Sequence, residues 1–229
     1  MIRKLIRAFN KIIVQALKYK IGSDYKSEKY WEDRFKKYNL SYQGIGHDGL
    51  THTNNKKLYN DAGQKIFNTL DQFILNCKKH KILEIGPGLG YYTNLLNQYG
   101  VKNYVGIDIT AYYFNYLKEA FPNYQFIKKD VSTTEIEKVF DVIIMIDVIQ
   151  HIVTYDKFIF TLQNIDNALS KNGIILISGF HYKKKLNFLF YEKKWTKAEI
   201  LNQLHGYIIL KETPFRLNNL LVLQKNESK

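Results

Sequence analysis

Apolar residues recur along the first twenty positions at Ile2, Leu5, Ile6, Phe9, Ile12, Ile13, Ala16 and Leu17. That i, i+3, i+4, i+7 spacing predicts one helix with a single apolar stripe. Arg3, Lys4, Arg7, Lys11 and Lys18 lie off the stripe, and no acidic residue precedes Asp24. A basic amphipathic helix of this kind can lie in a membrane interface beside anionic lipid. Packing on the rest of the chain, or on a second subunit, explains the same stripe. Tyr30, Trp31, Phe35 and Tyr38, set among charges in residues 24–40, predict a second short helix. Gln43-Gly44-Ile45-Gly46-His47-Asp48-Gly49 reads as a loop, and a polar helix over roughly 53–77 follows.

From Lys81 onward the period changes. Short apolar runs at 81–85, 103–108, 124–128, 141–146 and 173–178 predict strands. Helices are expected between them near 91–99, 111–120, 133–138 and 154–170. Such alternation predicts an α/β fold, a parallel sheet covered by helices on both faces. Asn172-Gly173 is read as the turn that ends the last of these helices. Beyond residue 178 lies an aromatic and Lys-rich insertion, 180–195, and then a helix that Thr196 and Glu199 can cap. Strands Tyr207–Lys211 and Leu220–Lys225, joined through Pro214 and Asn218-Asn219, are expected to add a terminal antiparallel pair.

A chain of 229 residues suits one such domain with a short N-terminal addition. We divide it into a helical extension and lid, 1–50, and a main domain, 51–229. Cys77 is the single cysteine, which excludes a disulfide framework and any zinc site built on several thiolates. No apolar run reaches about eighteen residues, so no spanning helix is expected. Charges spread through residues 1–20 argue against a secretory signal. We therefore expect a cytoplasmic protein, at most peripheral to a membrane through residues 1–20. The formal charge of +13 favours anionic partners, although a Lys- and Asn-rich composition accounts for it equally well. Oligomeric state is not legible.

The chemistry concentrates on Glu84-Ile85-Gly86-Pro87-Gly88-Leu89-Gly90, a glycine-rich turn between the first sheet strand and a helix. Glycines let the backbone turn sharply and approach a ligand, and the helix adds a positive N-terminal end. Nicotinamide dehydrogenases carry glycines at offsets 0, 2 and 5. Here the offsets are 0, 2 and 4, and Tyr91 stands at offset 5. At the end of the second strand, Asp108 in Val105-Gly106-Ile107-Asp108-Ile109-Thr110 is placed to accept two ribose hydroxyls.

Together with the acidic Glu84, the turn resembles motif I of the class I S-adenosylmethionine-dependent methyltransferases. The resemblance spans roughly residues 80–180 and implies a Rossmann-like, mostly parallel seven-stranded sheet. It implies S-adenosylmethionine as the methyl donor, held by Glu84, Gly86, Pro87, Gly88, Gly90, Asp108, Ile109, Asp130, Val131 and Asp147. Asp130 and Val131 would contact the adenine; read alone, Asp130 before Ser132-Thr133 is equally a helix cap. Phe140-Asp141-Val142-Ile143-Ile144-Met145-Ile146-Asp147 through His151 resembles the fourth motif. The wider pattern is similar to small bacterial enzymes that modify sugars, glycans or metabolites.

Methyl transfer from a sulfonium is an in-line displacement, so positioning supplies most of the catalysis. A hydroxyl acceptor must also lose its proton, and His151 is the candidate base. A packing histidine that orders its loop is the other reading. Asp147 is expected to hold the methionine end of the donor or an acceptor hydroxyl. His47, Asp48 and His52 are candidate lid residues, and His181 with the aromatics of 180–195 are candidates for the acceptor pocket. Cys77 precedes the first sheet strand and is misplaced as a nucleophile. No acidic cluster suggests a metal. The leading expectation is O-methylation of a small molecule or a cell-surface glycan intermediate. RNA methylation, favoured by lysines among tyrosines, is an alternative. So are a catalytically silent binding module and, further off, a dehydrogenase.

Overall fold

The computed structural model describes residues 13–22, 24–74 and 77–226. The expected amphipathic helix falls mostly outside them. Its described end is α1, Gln15–Tyr19, followed by the two-residue strands β1 (Lys20–Ile21) and β2 (Asp24–Tyr25), which pair antiparallel. Three helices come next: α2 (Ser27–Tyr38), α3 (Tyr42–Ile45) and the long α4 (His52–Phe73). The glycine-rich segment expected as a loop thus begins with one helical turn, whose start Ser41 caps by accepting from Gln43 N.

Seven strands form the main sheet: β3 (Lys81–Ile85), β4 (Asn103–Asp108), β5 (Gln125–Lys128), β6 (Phe140–Met145), β7 (Leu169–Ser178), β8 (Tyr207–Phe215) and β9 (Asn218–Lys225). Their order is β5-β4-β3-β6-β7-β9-β8. The pairs from β5 through β7 are parallel, and β9 is antiparallel to both neighbours. The mostly parallel α/β fold expected from the sequence is therefore present. Helices α5 (Tyr91–Tyr99), α6 (Phe114–Ala120), α7 (Tyr155–Ala168) and α8 (Lys197–Leu201) complete it.

Near-continuous apolar strands are what a sheet covered on both faces requires. Ile82, Val142, Ile144 and Leu176 join one core with Ala62 and Ile66 of α4 and Leu96 of α5. Leu83, Ile143, Met145 and Ile175 join the other with Phe158, Leu162 and Ile165 of α7. The period-two switch between those sets assigns the faces. A third, aromatic cluster of Tyr19, Tyr25, Tyr30 and Tyr191 binds the N-terminal segment to the 180–195 insertion.

Three expectations are corrected. No helix forms at 133–138, because the Asn164 side chain satisfies Ile136 N and the carbonyls of Val131 and Thr134, holding that loop irregular. Asn172 does take a left-handed φ of 57°, but as part of a bulge in β7 and not as a helix end. Helix α7 stops earlier, at Ala168. The last hairpin turns at Arg216-Leu217, so Pro214 and Asn218 lie inside β8 and β9. Pro214 is tolerated because β8 is an edge strand.

Candidate functional site

Strand order reverses at β3, whose chain continues to β4 on one side while β6 lies on the other. Crevices at such switch points, at the carboxyl ends of the strands, bind ligands. A cavity opens there. Its floor comes from the ends of β3 (Ile85 to Gly88), β4 (Ile107 to Ile109), β5 (Lys129 to Ser132) and β6 (Ile146 to Val148).

The turn after β3 needs its glycines for conformation and for space. Gly86 has φ 74°, and a Cβ there would lie 2.5 Å from Val148 Cγ2. Gly88 has φ 53°, and its Cβ would meet Ile45 Cγ2 at 2.9 Å. Gly86, Pro87 and Gly88 border the cavity. Gly90 instead packs behind the turn, against Leu117.

Glu84 is not on the cavity wall. It is buried behind the turn, where Oε2 accepts from Thr93 Oγ1 (2.8 Å) and Tyr104 Oη (2.6 Å). It ties β3 to α5 and β4, so the direct donor contact expected from the sequence becomes support of the turn. Burial pushes its carboxyl up from 4.5 to about 7. A group raised on folding stabilises the native state fully below its unfolded value, and that contribution is lost as pH rises through the folded one. Glu84→Gln should therefore flatten the fall in stability between about pH 4.5 and 7. Melting temperatures of the two proteins across that range check this; parallel curves would contradict it.

Asp108 ends β4 on the cavity wall. Burial raises its carboxyl to about 6, against backbone N–H groups of Thr110, Gly88 and Ile109 that favour the anion. Thr110 N donates to Oδ1 at 3.0 Å. Asp130 also borders the cavity, and its Oδ1 accepts from both Ser132 N (2.9 Å) and Ser132 Oγ (2.6 Å). It thus caps a turn while facing the site, although no helix follows. Val131 and Ile109 complete this end.

At the end of β6, Asp147 adopts φ 54° and its N–H donates to Ser178 Oγ. Its Oδ1 accepts from Ser178 Oγ (2.7 Å) and its Oδ2 from Arg216 (2.7 Å). Arg216 comes from the β8–β9 turn, itself at φ 52°, and its guanidinium lies 4.0 Å from the Tyr59 ring centroid. Two positive-φ residues paired with each other beside a cavity are where stored backbone strain is usually found. Both carboxylate oxygens are thus engaged within the protein. Arg216 was not legible as a site residue. One signal existed: the chain has only four arginines among its 34 basic residues, and a planar fork cannot be replaced by lysine. Breaking a buried pair leaves a charge uncompensated. Because Asp147 keeps some exposure, Arg216→Ala should cost a discounted 2–3 kcal/mol, roughly, of unfolding free energy. Urea denaturation measures it, and a loss below about 0.5 kcal/mol would show the pair to be solvent-screened.

His151 borders the same cavity in the turn after Asp147. Its Nδ1 lies 2.8 Å from the Tyr191 carbonyl, and its ring meets Trp31 edge-on at 4.7 Å. A carbonyl can only accept, so Nδ1 carries the proton and Nε2 keeps a lone pair. Burial lowers the ring to about 4, so it is neutral at physiological pH.

The opposite wall is built by the N-terminal extension. Tyr25, Trp31, Phe35 and Ile45 border the cavity with Tyr59 and Tyr92. Arg34 fixes this wall by donating to the carbonyls of Gln43, Gly44 and Gly46. Asp24 pairs with Lys157, Glu28 with Lys128, and Tyr25 Oη donates to the His151 carbonyl. The candidate lid residues do not reach the site. His47 and His52 are exposed and Asp48 is half-buried, and none of them borders the cavity. Nor do residues 180–195: Phe180 and Trp195 are core, and Tyr191 belongs to the aromatic cluster. No group of three or more metal-ligating side chains occurs among the described residues.

Residues 83–177 match the family model of a methyltransferase domain. No curated protein shows significant sequence similarity to the chain. Among solved structures, an S-adenosylmethionine-dependent methyltransferase from Clostridium acetobutylicum is similar at 14% identity and TM-score 0.61, covering 73% of this chain and 92% of its own. The 1,6-didemethyltoxoflavin-N1-methyltransferase of Burkholderia thailandensis is 17% identical at TM-score 0.59, covering 86% and 88%. The N-methyltransferase NodS of Bradyrhizobium japonicum is 13% identical at TM-score 0.58, covering 72% and 87%. Likeness at these identities is one of fold.

Proposed function

We propose, starting from a chain whose residues 83–177 form an S-adenosylmethionine-dependent methyltransferase domain, that it methylates a hydroxyl on a small molecule with His151 as the base. The observation that carries this reading is the neutral imidazole beside the switch-point cavity, with Nδ1 engaged and Nε2 left as an acceptor. When bound, S-adenosylmethionine supplies an electrophilic methyl group on a sulfonium.

The residues present fit that donor. Gly86 and Gly88 border the cavity, and their lack of a side chain keeps the backbone open to close approach between Val148 and Ile45 of the wall. The Asp108 carboxylate would accept the ribose hydroxyls, and Asp130 with Val131 would border the adenine. Asp147, fixed by Ser178 and Arg216, would border the methionine end of the donor. The aromatic wall of Trp31, Phe35 and Tyr59 would hold the acceptor and exclude water, which strengthens the remaining electrostatics. His151 Nε2 would then take the acceptor's proton.

A nitrogen acceptor is the second reading, because the Burkholderia and Bradyrhizobium structures are N-methyltransferases. A screen of phenols, heteroaromatic N–H compounds and sugar intermediates with labelled donor tests both. Label in a hydroxyl compound supports the first reading and label on nitrogen the second. Donor bound without transfer to any acceptor would favour a silent binding module. Among the described residues no helix is long and apolar enough to cross a membrane.

A further inference from the structure

The insertion at 182–194 takes no part in the cavity, yet it combines five lysines and one acidic residue, Glu192, with large apolar side chains. Leu189 and Phe190 pack on the cluster formed by Tyr19, Tyr25, Tyr30 and Tyr191. Leu186 and Phe188, four and two residues from Phe190, remain 73% and 64% exposed. The segment is pinned from behind, since Lys193 N donates to the Gln150 carbonyl and Lys194 N to Asn187 Oδ1. Apolar groups that stay in water on an anchored loop, beside a core that buries their neighbours, mark an interaction surface.

The same surface continues into the N-terminal segment. Phe190 stacks on Tyr19 at 6.2 Å, which joins the loop to the end of α1. On α1, Leu17 is 82% exposed. Residues 1–22 carry six basic side chains and no acidic one. We infer that α1 and the 182–190 loop together dock on an anionic lipid bilayer, Leu17, Leu186 and Phe188 entering the acyl boundary while the lysines face the headgroups. Two of the three protruding side chains, Leu17 and Leu186, are aliphatic and offer a nucleic-acid base no face to stack on, whereas all three can enter a lipid interface.

Co-sedimentation of the full chain with vesicles tests this, using pure phosphatidylcholine against a mixture one-third phosphatidylglycerol. Binding to the anionic vesicles should be at least tenfold stronger and should weaken as salt screens the lysines. Each lysine removed near such a surface lowers partitioning about fivefold, so K183Q/K184Q/K185Q together should lower it about a hundredfold. L186S/F188S should lower it at least tenfold with the lysines intact. Circular dichroism and melting of both variants identify any that fail to fold, and intact folding is expected because none of these side chains is buried. Equal binding to both vesicle types, or no binding, overturns the inference. So does indifference of vesicle binding to L186S/F188S, or RNA binding that depends on the same lysines while vesicles are left untouched.

Discussion

Asp108→Ala is expected to weaken S-adenosylmethionine binding by about 10²- to 10⁴-fold. The carboxylate lies at the end of β4, on the cavity wall, with backbone N–H groups of Thr110, Gly88 and Ile109 around it. Two hydrogen bonds to a charged group contribute roughly 1.5–3 kcal/mol each, which is the source of that range. The native fold should tolerate the change, since the carboxylate is engaged by backbone N–H groups of the adjoining turns and its removal takes away a charge that burial disfavours. Burial holds the carboxyl at about 6, so the wild-type protein should also lose affinity as pH falls below about 6 while the alanine variant shows no such limb. Calorimetric titration at several pH values measures both effects. Affinity within threefold of wild type would remove Asp108 from the site.

His151→Asn should lower the rate of methyl transfer to a hydroxyl acceptor by about 10²–10⁴-fold while donor affinity stays within about threefold. Asparagine keeps a donor for the Tyr191 carbonyl and removes the basic nitrogen. A ring lowered to about 4 stays neutral through physiological pH. The wild-type profile should accordingly show no inflection from His151 near 6.5, the ordinary imidazole value. Single-turnover rates with saturating donor separate the base from a packing role. A variant with wild-type rate, or one that loses donor binding in step with rate, makes His151 a structural residue.

Much of the fold was legible because parallel strands covered on both faces are written as short apolar runs. Ile82 and Leu83, adjacent in sequence, feed opposite cores. The glycine turn and Asp108 were legible for the same local reason, since spacing along one strand-turn-helix unit sets their geometry. Contacts between distant segments were not. Arg216 reaches Asp147 across 69 residues, from a hairpin whose turn was misplaced by the pull of Pro214 and Asn218. The helix expected at 133–138 failed because Asn164, far along the chain, supplies the loop's hydrogen bonds. Aromatic residues misled in both directions. Phe180, Tyr191 and Trp195 went to cores, while Trp31 and Phe35, read only as part of a short helix, became the cavity wall. Sequence period reports that a side chain is buried; which partner buries it is decided by the tertiary fold.

Glu84 illustrates a subtler gap. An acidic residue just before a glycine turn was expected to touch the donor. In the fold it accepts from Thr93 and Tyr104, and so holds the turn in place from behind. Alternation along β3 explains this, because Glu84 shares a face with Ile82 while Ile85 borders the cavity.

The most direct test titrates the purified chain with S-adenosylmethionine, S-adenosylhomocysteine and NAD by calorimetry. Saturable one-site binding of both sulfur compounds, with no heat from NAD, is the expected result. Binding of NAD alone would show that the glycine turn and Asp108 serve a dinucleotide, and the methyl-donor site would have to be abandoned.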